Sequence, residues 1–314
     1  MKFMAEMQAL FINKLSRKYP SEMIRREEIT YHARVHDIAE TVAKNGNIRL
    51  ILLAGPSGSG KTTTANLISD AIRACGEKSI VISLDDFYKV HDDPTYPRCP
   101  SGERDFECPE ALDLALISKT LRAITDGLPF SVPKYDFKTG SRASITEYGP
   151  AHDGCVIIEG LHALNPKISD HLPPEKIYKI FVSVSTNINV DGKRILSGRK
   201  VRFVRRLVRD SIYRGADAER TLKMWQGVLQ AEDVYLYPYK STADIAFDTF
   251  HIFELGVMKP FAERLLTEEL ADREPYVATV LDALRQMEEI DVGLVPENSL
   301  IREFIPGGIY EHLY

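Results

Sequence analysis

Short apolar runs alternate with longer stretches of helical periodicity along most of the chain. Five of these runs have the length of a buried strand and lie at residues 48–54, 79–84, 155–160, 179–185 and 243–249. The stretches between them place apolar residues three and four positions apart, which is typical of amphipathic helices. Buried strands separated by helices predict an α/β fold whose mostly parallel sheet carries helices on both faces.

The N-terminal region, residues 1–46, has helical periodicity without a strand. Its first helix is predicted to carry an apolar face formed by Phe3, Met4, Met7, Leu10, Phe11 and Leu15. A second helix places Val35, Ile38, Ala39 and Val42 on one face and stops at Asn45-Gly46, a typical helix end. Residues 130–142 have strand character interrupted by Pro133, which predicts an edge strand or a hairpin.

Composition narrows the class of protein. The 314 residues are 44% hydrophobic with a formal net charge of −5, so the chain lacks the basic excess of a general nucleic-acid binder. No apolar run approaches the ~18–20 residues that a membrane span requires. The four cysteines have no CxxC spacing and are few for a disulfide framework. We therefore expect reduced thiols in a cytoplasmic protein that binds neither nucleic acid nor membranes.

The first predicted strand runs directly into a glycine-rich loop. Its residues satisfy the pattern GxxxxGK[ST] and are Gly55, Pro56, Ser57, Gly58, Ser59, Gly60, Lys61 and Thr62. Glycines let successive backbone N–H groups point at phosphate oxygens, and the helix that follows adds its positive end. Lys61 is expected to reach the β- and γ-phosphates, and the Thr62 hydroxyl to bind Mg²⁺. Strand, loop and helix in this order predict an ATP site formed by Gly55 to Thr63.

Several protein classes share this loop. A GTPase would normally carry an Asn-Lys-x-Asp element after it, and the sequence has none. The dinucleotide fingerprint GxGxxG fails because Lys61 and Thr62 follow Gly58-Ser59-Gly60. A motor or helicase would usually be larger or basic. A small-molecule kinase remains, and it requires a base for the acceptor hydroxyl, an acidic contact for Mg²⁺ and cations around the transferred phosphoryl group.

Carboxylates end two of the predicted strands. Asp85 and Asp86 follow the second strand, and Glu159 ends the third. In an open α/β sheet, the carboxyl ends of the strands face the ligand crevice. Asp85 or Asp86 is therefore a candidate general base, and Glu159 a candidate contact to Mg²⁺ through water. The alternatives are a turn or capping aspartate and a glutamate at the protein surface.

The segment 198–215 is rich in arginine. Its apolar residues recur at helical spacing, and Arg202, Arg205, Arg206 and Arg209 share one broad face. Arginine suits phosphate because its planar group bonds two oxygens at once. We predict a lid over ATP at about residues 198–216, although such charge runs are usually solvated helices. The predicted organisation is a helical N-terminal extension (1–46), a P-loop kinase domain (47–290) and a C-terminal tail (291–314).

These motifs together resemble a known family. Their order along the chain is GPSGSGKTT, DDFY, DFECPEALD, VPKYDFKTGSR, VIIEG and RRLVRDSIYRG. It is similar to that of the uridine–cytidine kinases in the phosphoribulokinase/uridine kinase family, which implies a P-loop NTPase fold, ATP with Mg²⁺, and dimers or tetramers. The segments TLKMW, YPY and NSLIREFIPGG resemble a bacterial branch in which the kinase follows a threonyl-tRNA-synthetase-like region. Only the last helices of that region would remain before residue 47.

The resemblance also implies roles for single residues. Asp85, and not Asp86, matches the general base, while Glu159 matches the acid on the Mg²⁺ side. The acceptor-binding residues implied are Tyr88, Phe106, Glu107, Tyr135 and Phe137, with Glu107 at the ribose hydroxyls and the last two at the nucleobase. Arg206 and Arg209 match catalytic lid arginines, and Arg214 matches an ATP-binding one. Two positions depart from the family: Gly140 replaces a base-contacting histidine, and Ala216 replaces a further arginine.

The predicted activity is phosphoryl transfer from ATP to the 5′-hydroxyl of a nucleoside, uridine or cytidine. Asp85 would act as the base, and Lys61, Mg²⁺ and the lid arginines would offset negative charge. Because Gly140 weakens the case for pyrimidine recognition, the alternative acceptors are pantothenate, ribulose phosphate or a sugar acid. A third interpretation is an ATP-binding regulatory module without turnover. For Tyr135 and Phe137, the alternative is simple packing beneath the Pro-rich loop.

Overall fold

The computed structural model describes residues 6–99, 102–150 and 154–313. Its strands are β1 (Glu6–Gln8), β2 (Leu50–Ala54), β3 (Lys78–Ser83), β4 (Phe130–Asp136), β5 (Ser141–Tyr148), β6 (Gly154–Glu159), β7 (Ile177–Ser183), β8 (Asn187–Val190), β9 (Lys193–Leu196) and β10 (Ile245–Asp248). Five of them form a fully parallel central sheet in the order β10-β7-β2-β6-β3. These are the five predicted strands, each within two residues of its expected ends.

Helices cover both faces of this sheet. They are α1 (Ala9–Lys18), α2 (Pro20–Lys44), α3 (Lys61–Ala74), α4 (Leu114–Thr125), α5 (Pro166–Ser169), α6 (Gly198–Arg214), α7 (Ala218–Tyr235), α8 (Glu254–Leu265), α9 (Glu268–Arg273) and α10 (Pro275–Arg285). Alternate residues of β2 face opposite sides, as expected for a strand. Ile51 and Leu53 pack into the core that includes α2, α3, α6 and α8, whereas Leu50 and Leu52 pack with α4 and α5. The predicted α/β fold with helices on both faces is confirmed.

The predicted first helix is wrong in its start and in its apolar face. Residues Glu6–Gln8 form a strand that pairs in parallel with β8, and the helix begins only at Ala9. Its buried residues are Ala9, Ile12 and Ser16, so Leu10 is 81% exposed and Phe11 53% exposed. Met7 belongs to the strand, while Phe3 and Met4 lie outside the described residues. A helix that starts later and is anchored by a strand turns a different face to the core.

The second predicted helix and the hairpin are confirmed. Helix α2 ends at Lys44 with Asn45 as its C-cap, and its predicted apolar residues are all buried. Strands β4 and β5 pair antiparallel, with Pro133 opposite Ile145. The three-stranded sheet β1-β8-β9 was not predicted, because its strands are only three or four residues long.

Helix α2 and the segment 295–305 both lie against α3. The Tyr31 hydroxyl of α2 lies 2.7 Å from Thr64 Oγ1 of α3, and Ser299 donates a hydrogen bond of 2.5 Å to Glu28 of α2. Residues of α2 and of the segment 295–305 share one apolar core with the central sheet. The domain limits at residues 46 and 290 stay a prediction. Within the described ranges, none of the helices combines the length and the apolar character that crossing a membrane would require.

Candidate active site

The glycine-rich loop joins β2, the middle strand of the sheet, to α3. Gly58 and Gly60 have φ values of +70° and +82°, a left-handed conformation that glycine adopts without strain. Both are also crowded: a Cβ atom on Gly58 would lie 2.8 Å from the Arg202 backbone oxygen, and one on Gly60 2.7 Å from Leu300 Cδ1. The structure therefore requires glycine at both positions. Helix α3 begins at Lys61 directly after the loop, so its positive N-terminal end lies next to it.

The remaining residues of the predicted ATP site are Gly55, Ser57, Ser59, Lys61, Thr62 and Thr63, and all lie in this loop or in the first turn of α3. Ser59 and Thr63 are buried, while Ser57, Lys61 and Thr62 are partly exposed. Lys61 Nζ donates a hydrogen bond of 3.2 Å to the Pro56 backbone oxygen, so this side chain folds back over the loop. Because both side chains are partly exposed, Lys61 and Thr62 are accessible to an incoming nucleotide.

Asp85 and Glu159 lie beside Lys61, at the carboxyl ends of neighbouring strands. Ser83, the last residue of β3, pairs with Glu159 of β6. Burial raises the pKa of Glu159 to about 7, although the Lys61 ammonium acts in the opposite direction. Asp85 is exposed as a residue, but desolvation by the surrounding protein raises the pKa of its carboxyl group against the effect of Lys61. The two acids and the lysine thus form one cluster.

Asp86 is placed differently from Asp85. Its carboxylate accepts a hydrogen bond of 3.3 Å from the Tyr135 backbone N–H and lies 3.1 Å from Lys134 Nζ. It therefore links the 3₁₀ turn after β3 to the hairpin. The structure gives Asp85 no such hydrogen bond to its side chain from another described residue, which leaves the Asp85 carboxylate available for a ligand.

Helix α6 carries the predicted lid arginines, but it is not a solvated helix. Arg206 and Arg209 are each 7% exposed, and Arg206 Nη1 donates a hydrogen bond of 2.9 Å to Ser57 Oγ in the loop. Both also lie against Asp210, at 3.2 Å from Arg206 and 2.8 Å from Arg209. Arg214, at the last turn, is 53% exposed. Its pKa is lowered to about 10, mainly by the positive charge of Arg209. The alternative interpretation of this segment, a solvated basic helix, is therefore wrong.

Two further arginines of α6 hold the backbone of the loop. Arg202 donates to the Ser57 backbone oxygen at 2.8 Å and pairs with both carboxylate oxygens of Glu232 at 2.7 Å. Glu232 in turn accepts the Ser57 backbone N–H at 2.9 Å. Both side chains of this ion pair are fully buried. The ion pair thus holds both the backbone N–H and the backbone oxygen of Ser57.

Arg205 makes a second buried clamp one helical turn further on. It pairs with Glu254 at 2.6 Å and donates to the Thr249 backbone oxygen at 2.7 Å. It also reaches the Gly58 backbone oxygen at 3.3 Å, while Thr249 Oγ1 donates to the Ser59 backbone oxygen at 2.7 Å. Both Arg205 and Glu254 are fully buried. Three consecutive loop residues, 57–59, therefore form hydrogen bonds with these two buried ion pairs or with Thr249.

The segment after residue 296 covers the other side of the loop. Leu300 packs on Gly60, and the Glu303 carboxylate accepts the Thr63 backbone N–H of α3 at 3.2 Å. Glu303 is 4% exposed and lies 4.0 Å from Arg209 Nη1. A carboxylate at this point is favoured by the positive end of the helix. The C-terminal tail, whose role the sequence left open, thus contacts the glycine-rich loop and the start of α3 directly.

Aromatic side chains from three segments meet beside Asp85. Tyr88 lies 5.7 Å, between ring centroids, from Tyr135 and 5.7 Å from Phe137, and its hydroxyl donates to the Phe106 backbone oxygen at 2.9 Å. Tyr135 is buried, whereas Phe106 and Phe137 are 42% and 63% exposed. Burial raises the pKa of Glu107, opposed by Arg206. All five predicted acceptor residues are therefore brought together next to the acidic cluster.

Comparisons with known proteins show the family of the chain. The model of the phosphoribulokinase/uridine kinase family matches residues 50–254, which is more than half of the chain. This chain belongs to the phosphoribulokinase/uridine kinase family. A mouse relative, "Uridine-cytidine kinase-like 1", is 34% identical over 62% of this chain and 32% of its own length. The fission yeast "Uridine kinase" is 33% identical over 57% of this chain and 35% of its own length.

The chain therefore spans about a third of the length of those two relatives. It covers 85% of a Staphylococcus aureus "Uridine kinase", to which it is 29% identical over 62% of this chain. A solved structure of a candidate fructose transport system kinase from Silicibacter sp. TM1040 has a TM-score of 0.50 and 20% identity, covering 68% of this chain and 98% of that one. At this identity the likeness concerns the fold alone.

Kinases of this family use ATP with Mg²⁺, and the residues present fit such an ion. Thr62 and Glu159 offer oxygen atoms, the ligand type that Mg²⁺ prefers, and Mg²⁺ commonly takes further ligands from phosphates and water. Within residues 6–99, 102–150 and 154–313, no cluster of three or more His, Cys, Asp or Glu could hold a metal ion by itself.

This family member has several loop contacts that the sequence did not reveal. Arg202 and Arg205 appeared only as members of a basic face, and the acids that pair with them lie about 30 and 50 residues further along the chain. Glu303 lies 240 residues from Thr63. No local pattern links such positions. The clue to the partners of the two arginines is chemical, because a charged side chain that is buried in an apolar core requires a buried partner.

Proposed function

We propose that this chain is an ATP-dependent nucleoside kinase of the cytoplasm that phosphorylates the 5′-hydroxyl of uridine or cytidine. The observation that carries the proposal is the cluster of Lys61, Asp85 and Glu159 at the carboxyl edge of the sheet. The aromatic residues beside this cluster and the names of the curated relatives support a nucleoside as the acceptor. The proposed partners are this nucleoside and a second copy of the chain, and neither nucleic acid nor a membrane is among them.

In the proposed reaction, residues 55–63 bind the phosphates of ATP, and Arg214 contributes a further phosphate contact. The acceptor oxygen attacks the γ-phosphorus in line, the bond between this phosphorus and the β–γ bridging oxygen breaks so that ADP leaves, and Asp85 takes the hydroxyl proton. A raised pKa suits this base, because it makes proton transfer to the carboxylate easier. Lys61, Arg206 and Arg209 offset negative charge on the phosphoryl oxygens. Held by Thr62 and, through water, by Glu159, Mg²⁺ would supply further charge neutralisation.

The acceptor-binding residues have separate tasks in this proposal. The Glu107 carboxylate accepts hydrogen bonds from the ribose hydroxyls, and Tyr135 and Phe137 stack against the base. Tyr88 and Phe106 close the side of the site next to Asp85. Aromatic faces provide large apolar contacts with a defined geometry, which suits a flat base.

The direct test is Asp85→Asn, measured with Asp86→Asn as the matched control. We expect Asp85→Asn to lower kcat by about 10²–10⁴-fold, because it removes the proton acceptor. ATP affinity should stay within about threefold, since the loop is untouched. Asp86→Asn should retain most of its turnover, because Asp86 is bonded to the hairpin. Unchanged turnover in Asp85→Asn would remove this residue from its role.

The acceptor is identified by ADP formation across a panel of hydroxyl compounds. The panel contains uridine, cytidine, pantothenate, ribulose 5-phosphate and sugar acids. A nucleoside that raises ADP formation well above the rate with ATP alone supports the proposal, and stimulation by another compound replaces the acceptor but keeps the kinase. Tight ATP binding without stimulation by any acceptor would favour a regulatory module.

A further inference from the structure

His91 ties two loops of the acceptor site together. It follows the turn after β3, and its backbone N–H donates a hydrogen bond of 2.9 Å to the Gly140 backbone oxygen. Gly140 lies in the turn of the β4–β5 hairpin, where its own N–H donates to the Asp136 backbone oxygen at 2.8 Å. The backbone of His91 is therefore held against the turn of the hairpin.

The imidazole of His91 fills the space that a side chain at position 140 would take. A Cβ atom on Gly140 would lie 2.1 Å from His91 Nδ1 and 2.3 Å from its Cγ. Gly140 also has φ of +66°, which glycine adopts without strain. Position 140 can therefore carry no side chain while His91 is in place, and the chain supplies an imidazole there from position 91 instead.

The ring also contacts the aromatic residues of the acceptor site. Its centroid lies 5.7 Å from that of Phe106, 6.4 Å from Tyr96 and 6.5 Å from Tyr135. His91 is half-buried, and neither of its ring nitrogens has a hydrogen-bond partner among the described residues. The buried hydroxyls of Tyr96 and Tyr135 also lack a partner within that part of the chain. Buried polar groups are rarely left unpaired, so unpaired groups that lie this close together indicate a polar ligand.

We propose that His91 determines acceptor specificity by a hydrogen bond from its imidazole to the base of the bound nucleoside. The proposal rests on the nucleoside kinase function proposed above. A neutral imidazole has one donor and one acceptor nitrogen, and it can present either to a polar group of the base. The aromatic rings hold the faces of the base, and His91 reads its edge. In this arrangement His91 touches the substrate but takes no part in phosphoryl transfer.

The test compares four variants of the full chain: His91→Ala, His91→Gln, Gly140→Ala and the double variant His91→Ala/Gly140→Ala. The matched control is His36→Ala, which changes an exposed histidine of α2. KM and kcat for uridine, KM for ATP and the thermal unfolding midpoint are measured for each protein. Uridine binding is measured by calorimetry in parallel.

We expect His91→Ala to raise the uridine KM about five- to tenfold with kcat and the ATP KM nearly unchanged, because one substrate hydrogen bond is lost. His91→Gln should recover part of this loss, since its amide has both a donor and an acceptor. Gly140→Ala should raise the uridine KM by displacing the ring, and it should add nothing in the His91→Ala background. His36→Ala should behave as the wild type.

Three results would overturn the proposal. An unchanged uridine KM in His91→Ala, with uridine turned over by the wild type, removes His91 but leaves the nucleoside kinase intact. A KM effect that His91→Gln does not relieve, with a lowered unfolding midpoint in both variants, assigns His91 a structural role. A wild-type protein that neither binds nor phosphorylates any nucleoside overturns the proposed function and this inference together.

Discussion

The donor half and the acceptor half of the site are built in opposite ways. The donor half is one contiguous segment, residues 55–63, and its backbone is bonded to two ion pairs that are fully buried. The acceptor half collects side chains from the turn after β3, from the loop around residue 106 and from the β4–β5 hairpin, and Phe106 and Phe137 are 42% and 63% exposed. A backbone held by buried charges tolerates little change, whereas exposed side chains on loops can change freely. This difference explains why one motif in the sequence predicts phosphate binding while no comparable motif identifies the acceptor.

The largest expected effect comes from removing the charge of the donor half. Lys61→Ala should lower kcat by about 10³-fold or more, because a preorganised cation next to the transferred phosphoryl group is lost. Lys138→Ala, in the turn of the acceptor hairpin, is the matched control and should change kcat less than about threefold. Steady-state ADP formation measures both. Wild-type turnover in Lys61→Ala would contradict the phosphate-loop assignment.

The buried clamps give the next largest effect. Glu232→Ala leaves Arg202 buried without its partner and removes the acceptor for the Ser57 N–H, so unfolding free energy should fall by about 3–5 kcal/mol. The adjacent Asp233 pairs with Arg199 at the surface, and Asp233→Ala should cost less than about 1 kcal/mol. Urea unfolding compares the two. Equal losses would mean that the loop is held by packing and not by this ion pair.

The structural features that could be predicted from the sequence are those with a regular residue spacing and those formed by one continuous segment. The central strands, helix α2 and the hairpin follow from local patterns, and the phosphate loop is a single motif with a strand before it and a helix after it. The strand Glu6–Gln8 and the small sheet it joins were not predictable, since three residues carry no period and their pairing depends on distant β8.

The same limit applies within the site. Asp85 and Glu159 were found because strand ends meet at one edge of a parallel sheet. The pairing of Arg202 with Glu232 and of Thr63 with Glu303 joins residues far apart in the chain, so no spacing rule identifies it. Gly140 was recognised as a departure from the family, but only the structure shows that His91 lies against it.

A pH experiment tests how the tail is held against the donor half. Burial raises the pKa of Glu28 to about 7, above its usual value of about 4.5, and its carboxyl accepts the Ser299 hydroxyl. Between pH ~4.5 and pH ~7 the folded state therefore keeps a proton that the unfolded state has released. The free energy of unfolding falls as pH rises across this range up to about 7. Glu28→Gln should unfold like the wild type near pH 5 and be more stable, by about 1–3 kcal/mol, near pH 8.

Thermal or urea unfolding at the two pH values measures this difference. Glu40→Gln, on the exposed part of the same helix, is the control for a general charge effect. A Glu28→Gln variant that tracks the wild type at both pH values would mean that Glu28 stays ionised in the folded protein.

The smallest expected effect sharpens the contrast within the donor half itself. Glu303 places a negative charge on the Thr63 N–H, next to the space that phosphates are proposed to occupy. Glu303→Gln keeps an oxygen acceptor for this N–H and removes only the charge, so the ATP KM should fall about two- to fivefold. Glu311→Gln, an exposed acid of the same tail, should leave the ATP KM unchanged. A rise in the ATP KM for Glu303→Gln would mean that the carboxylate helps to arrange the site, for example through Arg209 at 4.0 Å, and does not oppose the nucleotide.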